Sequence, residues 1–158
     1  MSAPAPSVVA ALESAGLDYR VIEHTAPVRS LEEAAAARGV EVVDVVKTLV
    51  VRRGEGDYLF VLVPGGRQIS WPKLRTLLAV SRMSMPPADE AFAATGFERG
   101  TITPLGSSTA WPVVADLVIA SRGEVTLGSG VHSVAVGVDA RALLEAVGAT
   151  IADVTEPE

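Results

Sequence analysis

A lysine interrupts a strongly apolar segment of the chain and is its most unusual charged residue. Lys47 lies within the run Val-Val-Lys-Thr-Leu-Val-Val at residues 45–51. Because side chains alternate between the two faces of a strand, it shares a face with Val45, Leu49 and Val51. If that face points inward, the partly desolvated ammonium group requires an anionic ligand or a carboxylate partner. The alternative is an edge-strand lysine whose ammonium group reaches solvent.

A loop bounded by glycine and proline is the second candidate for chemistry. Residues 100–106 read Gly-Thr-Ile-Thr-Pro-Leu-Gly, in which glycine permits close approach of the backbone to a ligand and proline stiffens the far end. The carbonyl groups of such a rim can hold an α-amino group, and its N–H groups can hold an ester oxyanion. The alternative is a simple connection between two elements. The candidate binding residues here are Gly100, Thr101, Ile102, Thr103 and Pro104.

The segment at residues 127–133, Leu-Gly-Ser-Gly-Val-His-Ser, is the third candidate. His132 is a candidate catalytic residue, since an imidazole with a reference pKa of about 6.5 suits a general base or the orientation of a water molecule. Gly128, Ser129 and Gly130 are candidate substrate-binding residues. The alternative is a tight turn with a half-exposed histidine. Neither a phosphate-binding glycine motif nor a nucleophile elbow is present, because the flanking residues that each requires are missing.

An aspartate and a second histidine complete the set of candidate residues. Asp116 follows the apolar residues 113–115 and is either a catalytic partner of Lys47 or a helix or turn cap. His24 follows the predicted strand at residues 19–23 and either lines a pocket or lies at the surface. The chain has no cysteine, and its histidines and acidic residues lack the spacing of metal ligands. The sequence therefore predicts no metal site and no cofactor.

The charge and hydropathy of the chain limit its expected partners. A formal net charge of −6 argues against a broad grip on a nucleic-acid duplex, which requires a basic face, and DNA is therefore not an expected partner. The apolar runs fall short of the roughly 20 residues needed to cross a bilayer, so no membrane contact is expected. No basic residue precedes the apolar part of the N-terminus, so we expect no secretory signal and a cytoplasmic location.

Helices and strands are predicted in an irregular order along the chain. Cap residues and stop glycines predict helices near residues 7–15, 31–39, 71–78, 88–94 and 140–147, the first capped by Ser7. β-branched and apolar runs predict strands near residues 19–23, 45–53, 58–63, 113–114, 124–127 and 133–138, of which the second and third form a hairpin. This order indicates one α/β or α+β domain over residues 1–158, with a mixed and strongly curved sheet.

Taken together, these segments resemble the YbaK-type family of aminoacyl-tRNA deacylases, which is similar to the editing domain inserted in bacterial prolyl-tRNA synthetases. The resemblance rests on the run at residues 45–51, the Gly100-x-x-x-Pro104 loop, Asp116 after its apolar strand, and the Gly128-Ser129-Gly130 turn. Glu23-His24 and the segment at residues 31–35 resemble the N-terminal part of the family. The similarity covers nearly the whole chain in order, which makes it more specific than any single motif.

The resemblance implies a mixed α/β domain whose highly curved, barrel-like sheet is surrounded by helices. It also implies an enzyme that acts on the ester between an amino acid and the terminal adenosine of a transfer RNA, in the class that clears cysteine or alanine from tRNA(Pro). In the family, the lysine matching Lys47 is the essential charged group, and the loop matching Gly100–Pro104 positions the aminoacyl group. The family shares no strong protein nucleophile, which agrees with the absence of cysteine here. The expected partners are the acceptor end of a mischarged transfer RNA and a prolyl-tRNA synthetase.

Alternative roles and functions are compatible with the same residues. Lys47 either binds the terminal phosphate or ribose region or stabilises developing negative charge. Residues 127–132 depart from the more basic or asparagine-containing stretch of many relatives, so the sequence does not specify which amino acid is removed. The pocket also suits a synthetase-associated binding module that holds an aminoacyl or nucleotide end without turnover, or a hydrolase of small acyl esters unrelated to RNA.

Overall fold

The strands of the protein are distributed over three sheets, with helices around them. The computed structural model describes residues 2–158. Its helices are α1 (Pro6–Ser14), α2 (Leu31–Arg38), α3 (Trp71–Leu78), α4 (Ala88–Thr95), α5 (Leu117–Ala120) and α6 (Ala140–Ala146), with a short 3₁₀ helix at Val42–Asp44. Its strands are β1 (Tyr19–Glu23), β2 (Val46–Gly54), β3 (Asp57–Pro64), β4 (Arg67–Ile69), β5 (Val113–Asp116), β6 (Glu124–Gly128), β7 (Val134–Asp139), β8 (Thr150–Ala152) and β9 (Thr155–Pro157). No helix within the described residues is both long and apolar enough to cross a membrane.

The topology of the sheets leaves β2 at an edge. In the first sheet, β7 lies between β1 and β6, and both pairings are antiparallel. The second sheet has the order β2-β3-β5-β8, in which β2 and β3 form the predicted antiparallel hairpin and the other pairings are parallel. β4 and β9 form a separate antiparallel pair. The mixed α/β class is confirmed, but the barrel-like core is not, because the strands of residues 2–158 form separate sheets that do not close.

The hydrophobic core has two parts, one on each face of β3. Phe60 and Leu62 belong to the larger cluster, which joins β3 to strands β5–β7 and helices α1 and α6. Leu59 and Val61 belong to the smaller cluster, in which α3 covers the opposite face. Burial on both faces explains why this strand reads as a continuous apolar run instead of an alternating one. β3 therefore fixes its hairpin partner β2 firmly from one side.

Capping side chains fix the starts of several predicted helices. The Oγ atom of Ser30 accepts a hydrogen bond from the N–H of Glu33 at 3.1 Å, and Gly39 ends α2 in the left-handed conformation with a φ of 71°. Asp139 caps α6 in the same way through the N–H of Ala142. These two helices therefore begin where the sequence predicts.

The predicted cap of the first helix is wrong. α1 begins at Pro6, and the preceding Ala5 provides no side-chain cap. Proline is favoured at the first helical position because its fixed φ suits a helix and its missing N–H would have had no intrahelical partner. Ser7 consequently lies inside the first turn and does not cap it.

Candidate functional site

A cavity of about 520 Å³ lies along the outer edge of β2. We call it the β2-edge cavity; its wall includes Val45 and residues 46–50 of β2 together with His24, Arg38, Arg99, Gly100 and Gly128. A volume of this size suits a small organic group, such as an aminoacyl or nucleoside moiety. The cavity therefore brings together residues from five separate stretches of the chain, within 24–38, 45–50, 85–91, 99–102 and 128–134.

The exposed edge of β2 supplies unpaired backbone groups to this cavity. Within residues 2–158, two isolated bridges reach this edge, from Thr126 to Val45 at one end and from Ser84 to Arg52 at the other. At the second bridge, Arg52 donates its N–H to Ser84 at 2.8 Å and accepts one in return at 3.1 Å. Since backbone groups alternate along a strand, those of Thr48 point to the same free edge. An unpaired strand edge of this kind is ready to hydrogen-bond a ligand.

The charged residues of the cavity wall are all cationic. Arg38, Lys47 and Arg99 contribute to the wall, and no aspartate or glutamate within the described part of the chain does. The whole chain nevertheless carries a formal net charge of −6. A cluster of cations in an otherwise acidic protein gives the cavity a local preference for an anionic ligand.

Lys47 lies on this wall with its ammonium group at the protein surface. Nζ donates to the backbone oxygen of Arg67 at 3.1 Å and pairs with the carboxylate of Glu158 at 3.0 Å. The side chain is 37% exposed, and its strand neighbours Leu49 and Val51 pack against the smaller core cluster. Both sequence-based alternatives are thus partly met, because the lysine lies on an edge strand and also has a carboxylate partner. An exposed pair of this kind is weak, so an anionic ligand can displace it.

Arg38 and His24 form a second polar group on the wall. Arg38 donates from Nε to His24 Nε2 at 3.2 Å and from Nη1 to the hydroxyl of Thr126 at 3.0 Å. Burial lowers the pKa of Arg38. Burial also lowers the pKa of His24, with the Arg38 charge as a smaller cause, so the imidazole is neutral at pH 7 and accepts through Nε2. His24 was predicted from the sequence to bind substrate, whereas Arg38 was not predicted.

The loop at residues 100–104 meets the cavity at two points. Gly100 and Ile102 contribute to the wall, whereas Thr101 and Thr103 are buried and Pro104 lies outside the wall. The backbone of Thr101 is already engaged, since its N–H donates to the Glu98 oxygen at 3.0 Å and its oxygen accepts from the Gly130 N–H at 2.9 Å. The loop therefore offers a ligand fewer free backbone groups than the rim of free amides that the sequence predicts.

The glycine turn that follows β6 packs directly against this loop. Gly128 lines the cavity. Ser129 is fully buried, and its hydroxyl donates to the Val134 oxygen at 2.7 Å. Gly130 adopts a left-handed φ of 80°, which favours glycine. Only Gly128 of the three candidate residues in this turn faces the cavity, while the other two hold the turn in shape.

Replacement of Gly128 by alanine tests how tightly the loop and the turn pack. A Cβ atom there would lie 2.7 Å from the backbone oxygen of Ile102 and 2.9 Å from that of Thr101. Because backbone atoms cannot yield without moving the loop, we expect Gly128→Ala to lower the free energy of unfolding by about 2 kcal/mol. Urea denaturation measures this change. Gly123→Ala is the matched control, since a Cβ there meets nothing within 4 Å; an equal loss in both variants would contradict the packing described.

His132 lies beside the cavity but does not line it within the described residues. Its imidazole is 63% exposed, and Nε2 lies 2.9 Å from a carboxylate oxygen of Glu98. A Cβ at Gly100 would lie 3.9 Å from its ring, so the histidine borders the loop. This environment agrees with the alternative interpretation, in which His132 is a half-exposed histidine in a turn. The catalytic role of His132 stays a prediction.

Asp116 is a buried structural acceptor at the end of β5. It is 1% exposed, and one carboxylate oxygen accepts from the N–H of Val118 at 3.1 Å, which caps α5. The other accepts from the Val154 N–H at 3.1 Å and from the Thr155 hydroxyl at 2.8 Å. Asp116 is therefore a cap and not the direct partner of Lys47, and its catalytic role stays a prediction.

A chain of hydrogen bonds nevertheless connects the aspartate to the lysine. Thr155 Oγ1 donates to Asp116 and accepts from Arg67 Nε at 2.7 Å. The backbone oxygen of Arg67 in turn accepts from Lys47 Nζ at 3.1 Å. Asp116 thus helps to fix the strand pair β4-β9 against which the Lys47 ammonium group rests.

Comparison with known proteins finds relatives of this chain. The model of the aminoacyl-tRNA editing domain matches residues 25–146. The proline–tRNA ligase of Thermosipho melanesiensis is 35% identical over 97 residues, which are 61% of this chain and 17% of that protein. The proline–tRNA ligase of Trichlorobacter lovleyi is 30% identical over 106 residues, 67% of this chain and 18% of that protein. The chain thus spans about a fifth of the length of the curated relatives it matches.

A solved structure extends the similarity over almost the entire chain. A candidate trans-editing enzyme for prolyl-tRNA synthetase superposes with a TM-score of 0.87 at 30% sequence identity, covering 98% of this chain and 99% of that one. The matched residues of the family model include every wall residue named above except His24, which immediately precedes them. The chain therefore belongs to the aminoacyl-tRNA editing domain family.

Proposed function

We propose that this protein is a trans-editing hydrolase that cleaves the ester bond of mischarged aminoacyl-tRNA, in the class where tRNA(Pro) carries cysteine or alanine. The observation that carries the proposal is the β2-edge cavity, whose charged wall residues are Arg38, Lys47 and Arg99, in a chain of the editing family. The acceptor end of a transfer RNA is single-stranded and anionic. A local cationic cavity suits such an end, whereas the net charge of −6 disfavours contact with the body of the transfer RNA.

The proposed reaction is hydrolysis of an already activated ester. A water molecule attacks the carbonyl carbon, the bond from that carbon to the ribose oxygen breaks, and a proton from the water ends on the ribose oxygen. The products are a free amino acid and an uncharged transfer RNA. Because the ester is activated, positioning of the water and stabilisation of the oxyanion suffice for catalysis.

The wall residues divide into expected roles for this reaction. We assign the stabilisation of negative charge, or the binding of the terminal nucleotide, to Lys47 and to the free N–H of Thr48. Gly100, Ile102 and Gly128 form the part of the wall against which the aminoacyl group is positioned. Ala88 and Ala91 on α4 also line the cavity and add apolar surface to its wall.

A prolyl-tRNA synthetase is the expected source of the substrate. Two such ligases contain a segment similar to this chain, and the solved neighbour is described as a candidate trans-editing enzyme for prolyl-tRNA synthetase. We propose that the present chain acts in trans on tRNA(Pro) after the synthetase has charged it wrongly. Its site of action is then the compartment in which translation occurs.

The proposal is tested by incubating the protein with tRNA(Pro) charged with alanine, cysteine or proline and measuring release of the amino acid. We expect release of alanine or cysteine well above the buffer blank and little release of proline. Uncharged tRNA(Pro) should compete, and free amino-acid esters should be poor substrates. Binding of the charged tRNA without release would indicate a binding module, and equal activity on free esters without competition would indicate a small-ester hydrolase; either result refutes the proposal.

A further inference from the structure

Arg38 is a partly buried arginine of the cavity wall, and within residues 2–158 its guanidinium group has no carboxylate partner. Arg20, Arg52, Arg53 and Arg122 each pair with an aspartate or glutamate. Carboxylates raise the pKa of Arg20 and Arg122, whereas burial lowers that of Arg38. A desolvated guanidinium group without a counter-charge is unfavourable unless a ligand supplies one.

Two of the three nitrogen atoms of the Arg38 guanidinium group are hydrogen-bonded within residues 2–158. His24 Nε2 accepts from Nε, and the Thr126 hydroxyl accepts from Nη1. Within residues 2–158, Nη2 makes no hydrogen bond, and His24 Nδ1 is buried without a partner. Both acceptors are neutral, so they orient the guanidinium group of Arg38 without neutralising its charge.

The position of this group places it at one end of the β2-edge cavity. Thr126, which accepts from Arg38, forms the isolated bridge to Val45 that closes the β2 edge at that end. The apolar residues Met85 and Pro86 follow the bridge at the opposite end. Arg38 and the apolar residues Met85 and Pro86 therefore lie near opposite ends of the free β2 edge.

We propose that Arg38 is the subsite for the phosphate group that joins the terminal adenosine to the preceding nucleotide of the transfer RNA. The inference rests on the proposed function, because it assumes an acceptor end in the cavity. Every transfer RNA carries this phosphate whatever its amino acid, and an oriented guanidinium group binds phosphate oxygens through two N–H groups at once. His24 is a positioning residue, since it acts through Arg38.

Binding of adenosine 5′-monophosphate and adenosine by isothermal titration calorimetry tests this subsite without requiring catalysis. The two probes differ only in the phosphate group. We expect the wild type to bind the monophosphate about tenfold more tightly, in line with a charge-assisted hydrogen-bonded contact. In Arg38→Ala this preference should vanish while the affinity for adenosine stays the same, which also shows that the variant is folded. His24→Ala should reduce the preference, and Arg38→Lys should restore part of it.

Arg141→Ala is the matched control. Arg141 is an exposed arginine on α6 outside the cavity, and its removal changes the net charge by the same amount. Its variant should keep the tenfold preference. Absence of a preference in the wild type, its persistence in Arg38→Ala, or an equal loss in Arg141→Ala would overturn the assignment. Adenosine esters of aspartate and asparagine provide a further test. If the protein preferred the aspartyl ester through Arg38 but did not prefer the monophosphate over adenosine, an amino-acid side chain would occupy the subsite, and the assignment would be overturned.

The two proposals fail in distinguishable ways. Monophosphate binding that depends on Arg38, together with no release from any mischarged tRNA(Pro), would refute the editing function and leave the phosphate subsite standing. Release of alanine or cysteine by a protein with no phosphate preference would refute the subsite and leave the editing function standing.

Discussion

The variant Lys47→Ala is expected to deacylate mischarged tRNA(Pro) about 100-fold more slowly than the wild type, a loss typical of removing one group that stabilises developing negative charge. The lysine lies on the cavity wall, and its only carboxylate contact in the described residues is the exposed pair with Glu158. Because such a pair contributes little to stability, the variant should remain folded. Rates at saturating substrate and at low substrate then separate the two open roles: a loss in kcat indicates charge stabilisation, and a rise in KM alone indicates binding of the phosphate or ribose.

Lys73→Ala provides a closely matched control for this variant. Lys73 is the second of the two lysines in the chain. Like Lys47, it pairs with one carboxylate, Asp153 at 2.9 Å, and donates to one backbone oxygen, that of Thr155 at 3.0 Å. It lies on α3 and does not line the cavity. Full activity in Lys47→Ala, or an equal loss in Lys73→Ala, would remove Lys47 from the mechanism.

The second large effect is expected for Asp116→Ala and concerns the stability of the fold. Asp116→Ala removes the acceptor of three hydrogen bonds and leaves the Val154 N–H and the Thr155 hydroxyl buried without their partner. At about 1–3 kcal/mol for each buried unsatisfied group, we expect the free energy of unfolding to fall by about 4 kcal/mol. Urea denaturation followed by circular dichroism measures the change.

Asp139→Ala is the control for Asp116→Ala. Asp139 also caps a helix, but it is exposed and accepts one hydrogen bond, from Ala142, so its loss should cost only about 1 kcal/mol. The deacylation rate per folded molecule of Asp116→Ala distinguishes structure from catalysis. A rate near that of the wild type agrees with a buried scaffold role, whereas a large loss in a stably folded variant would support the catalytic role predicted from the sequence.

Elements with a sustained pattern were predictable from the sequence, and short ones were not. The hairpin of β2 and β3 shows long β-branched runs around the turn at residues 54–57, and both strands form as predicted. β4 and β9 have three residues each and pair with one another across 88 positions of the chain, as Gln68 and Glu156 show. A three-residue strand carries no periodic signal, and its partner is set by the global fold. The separation of the strands into three sheets could not be predicted from the sequence for the same reason.

The candidate site was predictable only where a residue contradicted its surroundings. Lys47 interrupts an apolar run and therefore attracts notice in the sequence alone. Arg38 occupies the last turn of α2, where a cation is ordinarily favourable, and so it gives no signal. Its importance depends on Thr126, which lies 88 positions away, and on the lack of a nearby carboxylate. The free edge of β2 likewise becomes visible only once the strand order is known.

The most direct test of the editing function is hydrolysis of alanyl-tRNA(Pro) by excess wild-type protein in water enriched in heavy oxygen. We expect alanine to be released faster than in the buffer blank, with one heavy oxygen atom in its carboxyl group, and the tRNA(Pro) to be recovered intact and rechargeable. A release rate equal to that of the blank for both alanyl-tRNA(Pro) and cysteinyl-tRNA(Pro) would contradict the function proposed for this cavity.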